Sequence, residues 1–151
     1  MAYRQVQARA NVDYMRIERT NDLAEILKCL PFERQIRVKG RDRMKESDML
    51  LFIRSQLDNP MFGYWMSYDD DNEVNGYTIA LLNLLPGVQR EFIIRMYAKD
   101  SKIRDEFFNI LAQWAKAYKV KVQQTTVHKN IKAISRKFKF IPISVNMERR
   151  I

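Results

Sequence analysis

Apolar residues recur at helical spacing in four stretches of the chain. Leu23, Ile26, Leu27 and Leu30 form the first stripe, behind Asn21-Asp22 as a cap and ahead of Pro31, which marks an end or a kink. Met49, Leu50, Ile53 and Leu57 form the second, with Ser47 as its cap and Asp58-Asn59-Pro60 as its stop. The clearest stripe is the third, Ile103, Phe107, Ile110, Leu111, Trp114 and Tyr118, which Asp100 or Ser101 caps. Ala133, Ile134 and Phe138 make a short fourth, capped by Asn130.

Between these stripes the pattern changes to β-branched and aromatic runs with a period of two. Residues 12–19 predict a first strand, and residues 62–68, 74–85 and 92–98 predict three more, separated by Asp69-Asp70-Asp71-Asn72 and by Pro86-Gly87. Alternation puts Phe62, Tyr64, Met66 and Tyr68 on one face, to pack against a helix or else to offer a stacking platform for bases, and turns Trp65 the other way. In the run 92–98 it groups Phe92, Ile94, Met96 and Ala98 against Ile93, Arg95 and Tyr97. Residues 120–127 read as a further strand, and Ile143, Val145 and Met147 alternate in a last one. Short turns make the middle strands an antiparallel meander, whereas the helix between residues 98 and 120 requires a crossover to a parallel neighbour. The expectation is an α/β (α+β) domain over residues 1–151: a mixed central sheet of about six strands flanked by about four helices.

Composition narrows the chemistry. No run approaches the roughly 18 apolar residues of a membrane helix, and the first residues lack the apolar core of a signal peptide, so a cytoplasmic protein is expected, without membrane partners. The single cysteine, Cys29, lies on an apolar stripe and reads as a buried thiol. His128 is the sole histidine, which sets metal chemistry aside. With 27 Lys and Arg against 18 Asp and Glu, the net charge of +9 favours anionic partners. The cations concentrate at Arg34, Arg37, Lys39, Arg41, Arg43 and Lys45, and again at Lys129, Lys132, Arg136, Lys137 and Lys139. These segments are solvated faces, or sites for an acidic protein surface or nucleic acid. No sequence-specific nucleic-acid motif is present, so a nucleic-acid module would be nonspecific.

The order of elements, together with Asn130-Ile131-Lys132-Ala133 followed by Phe138-Lys139-Phe140, resembles the GNAT (GCN5-related N-acetyltransferase) fold over nearly the whole chain. Short phage-encoded members are similar, which implies host cytoplasm or a virion assembly as a setting. The resemblance implies acetyl-CoA as cofactor, with its pyrophosphate at the turn between the fourth strand and the long helix, where the family carries a basic residue or Gln followed by small residues. Here Lys102 stands nearest the leading basic position, Asp105 and Phe107 stand where small residues belong, and none of the four glycines lies in the segment. Lys99, Lys102, Arg104 and Asn130 are then the candidate cofactor ligands, the cations acting through side chains where bare amides are lost. Lys139 replaces the family's usual Gly, and the helical Tyr that reprotonates the leaving thiolate has no counterpart, its neighbourhood being Arg136, Lys137 and Phe138. Glu91, at the start of the fourth strand, is a candidate base or else an exposed ion-pair partner of Arg90 or Arg95; His128 is a candidate base or acid or else a turn residue. The lost glycines and tyrosine point to a diverged, non-catalytic binding or structural module that has given up acetyl-CoA. The alternative is an acetyl-CoA-dependent N-acetyltransferase with an altered phosphate loop, and it requires the fourth and fifth strands to splay around an open, basic tunnel.

Overall fold

The computed structural model describes residues 15–39, 45–126, 131–141, 143 and 149. Strand β1 (Arg16–Arg19) leads to Asp22, whose carboxylate accepts from Ala24 N at 2.9 Å and starts helix α1 (Leu23–Ile26). A 3-10 turn (Leu27–Cys29) follows, and then α2 (Leu30–Lys39). Pro31 thus opens a helix instead of ending one, because in a first turn its missing N–H forfeits no helical hydrogen bond. Helix α3 (Glu46–Gln56) begins one residue before the expected Ser47, with Lys45 as a cap that gives no side-chain hydrogen bond; Glu46 and Asp48 face the positive end of its dipole instead.

Strands β2 (Phe62–Tyr68), β3 (Val74–Asn83) and β4 (Arg90–Ala98) form the antiparallel meander, and the long helix α4 (Ser101–Ala117) carries the chain back to β5 (Gln123–Thr125), parallel to β4. The described sheet has five strands in the order β1-β2-β3-β4-β5. Helix α5 (Ile131–Phe138) follows. Of the last strand expected, only Ile143 is described, and it is exposed; Val145 and Met147 lie outside the described residues.

Each face of the sheet buries a layer. On one, Phe62, Tyr64, Met66 and Tyr68 pack with Tyr77 and Ile79 beneath α1–α3, joined by Ile26, Cys29, Met49 and Ile53. On the other, Trp65 meets Trp114 of α4 edge-on at 5.0 Å, with Phe107, Phe108, Leu111 and Ile134 around it. The Trp65 indole folds back over Gly63, where an added Cβ would come within 2.2 Å of the ring. The alternation read for β2 is therefore the alternation observed.

In β4 it is not. Arg95 pairs with Ile79 and Ile93 with Ala80, so Ile94 is an extra residue, a β-bulge. One extra residue reverses the facing of the residues before it relative to those after it. Ile93 lies in the α4 layer with Met96 and Ala98, while Ile94 and Tyr97 lie in the α1–α3 layer, which breaks the expected grouping of Ile94 with Met96 and Ala98.

Candidate functional site

The bulge sits where β4 and β5 stop pairing. Their parallel ladder spans Glu91↔Gln123 to Ile93↔Thr125, so β5 is shorter than the expected 120–127. Among the described residues, β4 runs on from Ile94 to Ala98 with no partner on its β5 side. Backbone donors and acceptors along such an edge have the spacing to receive an extended ligand as an added strand. The end of the described ladder, at Ile93↔Thr125, falls where the acetyltransferase alternative requires β4 and β5 to splay.

At the far end of this edge α4 begins. Asp100 caps it, its carboxylate accepting from Ile103 N at 3.0 Å while its carbonyl accepts from Arg104 N at 3.2 Å. A carboxylate thus occupies a first-turn amide donor that would otherwise serve a phosphate. Lys99 and Lys102 are exposed beside it. Arg104 donates to Asp105 Oδ1 at 3.1 Å, and Lys137 of α5 pairs with Asp105 Oδ2, so this carboxylate ties α4 to α5. The structure therefore brings Lys99, Lys102 and Arg104 together at one helix end, with Lys137 added from α5, and places two carboxylates among them. Phe107 does not stand at this mouth. It is fully buried between α4 and the sheet, close to Gly76, because the first apolar position of the helix is Ile103 and its stripe turns inward from there.

Glu91 is neither exposed nor ion-paired. It is fully buried, Oε1 accepting from Gln123 Nε2 at 2.7 Å and Oε2 having no hydrogen-bond partner. The two arginines expected beside it turn elsewhere, Arg90 to Gln124 Oε1 at 2.8 Å and Arg95 to Glu33 Oε1 at 3.0 Å. Burial pushes the Glu91 carboxyl up to about 8, against a smaller opposing effect of the Gln123 amide. His128 and Asn130 lie outside the described residues. Lys139, at the position the GNAT resemblance gives to Gly, has φ +59°, the left-handed backbone that glycine adopts most easily.

Sequence reasoning missed a buried network on the opposite face of β4. Glu33 of α2 accepts from the Tyr77 hydroxyl and from Arg95, and the rings of Phe32, Tyr97, Tyr77 and Tyr64 follow one another at centroid distances of 4.6, 6.4 and 5.7 Å. Burial first, and the Glu33 charge second, raise the Tyr77 hydroxyl far above the usual tyrosine range. A charged Arg95 in the middle of an otherwise apolar strand was the available signal. Cys29 is buried as expected, its thiol pushed up to about 12 by burial. Among the described residues no three His, Cys, Asp or Glu gather as a metal site would need, and no helix is long and apolar enough to cross a membrane.

No protein-family model matches the chain, and no curated protein matches it. Solved structures do. An acetyltransferase from Clostridium acetobutylicum, described as predicted and solved with acetyl-CoA, superposes with a TM-score of 0.72 at 16% identity, over 90% of this chain and 96% of that one. The aminoglycoside acetyltransferase meta-AAC0020 from an uncultured soil sample gives 0.68 at 12% identity, over 93% and 99%. AAC(6')-Iy, solved with the bisubstrate analogue CoA-S-monomethyl-acetylneamine, gives 0.65 at 11% identity, over 91% and 97%. With the meander, the bulged β4 and the parallel β5, these likenesses show that the chain has a GNAT-like mixed α/β fold.

Proposed function

We propose that the chain is an acyl-CoA-dependent N-acyltransferase, with acetyl-CoA as donor and an amine as acceptor. The observation that carries this reading is the end of the described β4–β5 ladder at Ile93↔Thr125, beside the Ile94 bulge, with the cationic start of α4 at the far end of β4. An acyl-CoA needs amide partners along its extended arm and positive charge at its phosphates. The β4 edge from Ile94 to Ala98 supplies the first; Lys99, Lys102 and Arg104 supply the second through side chains. When bound, the cofactor contributes the thioester. The chain's own residues orient that thioester along β4 and neutralise the phosphates. Glu91, enclosed between β4 and β5, anchors the point where the strands part and does not face an acceptor. The neighbours solved with acetyl-CoA or with a bisubstrate analogue support the reading by fold.

A second reading rests on Asp100 and Asp105: carboxylates on the first-turn amide and on Arg104 describe a helix end closed to anions, as in a non-catalytic scaffold. Calorimetric titration with acetyl-CoA separates the two. Micromolar binding that falls at least about tenfold in Lys99→Ala/Lys102→Ala establishes the cofactor site and leads to screening of amine acceptors. No heat up to millimolar cofactor overturns the acyltransferase reading and leaves the scaffold as the one to pursue.

A further inference from the structure

We infer that the end of the molecule opposite the start of α4, formed by the β3–β4 hairpin tip, the end of α4 and the entry to β5, is a docking surface for an acidic, amphipathic segment of another protein. Five of the nine large apolar side chains exposed among the described residues lie there: Leu84, Leu85 and Val88 on the hairpin, Tyr118 after α4 and Val122 before β5. Leu85 is 66% exposed, Val88 47% and Val122 46%. The backbone holds them at one end, since Glu91 N donates to Val122 O at 2.8 Å, Asn83 pairs with Arg90, and Val120 N returns to Ala115 O at 2.9 Å. Gly87, at φ +83° with open space where a Cβ would lie, puts the tip of the hairpin out in solvent.

The charges choose the occupant. Arg90, Lys119 and Lys121 stand among these apolar residues, and neither residues 84–90 nor residues 116–122 include a carboxylate. A second copy would bring like charges together within a chain already at +9, which disfavours self-association. A bilayer would take an apolar tip with its cations held back at the headgroups, but in Tyr118-Lys119-Val120-Lys121-Val122 cations and apolar residues are interleaved, so inserting one drags in the other. A surface that alternates acidic and apolar side chains satisfies both. The site lies at the other end of α4 from the candidate acyl site, so a partner could dock there without covering it.

The test uses the whole chain and a fluorescein-labelled helical peptide of roughly 16 residues, with a leucine face flanked by glutamates, read by anisotropy. Saturable binding to the wild type is expected. It should weaken at least about tenfold in Leu85→Ser/Val122→Ser and in Lys119→Glu/Lys121→Glu, and stay unchanged in Leu51→Ser, a control at an exposed leucine of α3. Circular dichroism melts of each variant confirm that these surface changes leave the fold intact. The inference is overturned by absent binding, by equal binding to every variant, by sedimentation showing self-association that Leu85→Ser/Val122→Ser abolishes, or by phosphatidylserine vesicles binding in place of the peptide.

Discussion

Glu91 is a carboxyl whose burial constrains its chemistry. Folded, it holds its proton until about pH 8; unfolded, it releases it near the ordinary glutamate range, about 4.3. Between those limits the folded chain carries the extra proton, so stability from this group is complete below the lower limit and is lost as pH rises through the upper one, by up to about 1.4 kcal/mol per unit. Glu91→Gln keeps an acceptor for Gln123 and removes the titration. Urea unfolding at pH 5, 6.5 and 8 should show the variant gaining on the wild type as pH rises, and parallel curves would mean that the carboxyl is ionised in the fold. Lys139 poses the opposite problem, a side chain on backbone suited to none. At φ +59°, Lys139→Gly relieves a left-handed strain of about 1 kcal/mol but gives back some unfolded-state entropy, so a gain of up to about 1 kcal/mol is expected. A loss on urea unfolding would show that the exposed lysine contributes more than the backbone costs.

At the scale of elements, α2 is joined to the sheet through one carboxylate. Glu33 is 6% exposed and holds both the Tyr77 hydroxyl of β3 and Arg95 of β4, one residue past the bulge. Glu33→Ala takes the acceptor from the buried Tyr77 hydroxyl and one ion-pair partner from the part-buried Arg95, a change that costs on the order of 2–3 kcal/mol, whereas Glu33→Gln should recover much of it by keeping an acceptor. Hydrogen exchange should speed up at Arg95 to Tyr97 in the alanine variant; unchanged protection there would remove Glu33 from the support of the bulge. Of this network the sequence marked only Arg95, a charge in an apolar run, and the reason is physical. The helix caps Asp22 and Asp100 were legible because capping is local, and the two faces of β2 were legible because a regular strand has period two. A bulge adds one residue without any local mark, so the facing of Ile94 relative to Met96 was assigned wrongly. The burial of Glu91 depends on Gln123, 32 positions away, and α2 meets β4 through Phe32 and Glu33, contacts that no periodicity announces. Of the candidate site, Lys99, Lys102 and Arg104 were found together because they are neighbours in sequence; the ties from Asp105 to Arg104 and Lys137 were not, since they join two helices.

Those ties set the balance of charge for the whole molecule. A chain at +9 draws a polyanion from a distance, yet the helix end where one would settle carries Asp100 on an amide and Asp105 on two cations. If acetyl-CoA is the ligand, its phosphates must compete with Asp105 for Arg104 and Lys137, and the field must offset that local cost. Asp105→Asn removes the competitor and one negative charge while keeping an oxygen for hydrogen bonding, so it should tighten acetyl-CoA binding by roughly three- to tenfold. Cofactor at a hundredfold excess over its Kd stabilises a fold by about 2.7 kcal/mol, which for a chain of this size raises Tm by about 5–10 °C. In thermal melts at one fixed acetyl-CoA concentration, the variant should therefore shift further than the wild type. Raising salt from low to physiological strength should shrink both shifts, because the attraction is between charges at an exposed helix end. A larger wild-type shift would mean that Asp105 holds Arg104 and Lys137 in the geometry the phosphates need, making the carboxylate part of the site instead of its rival.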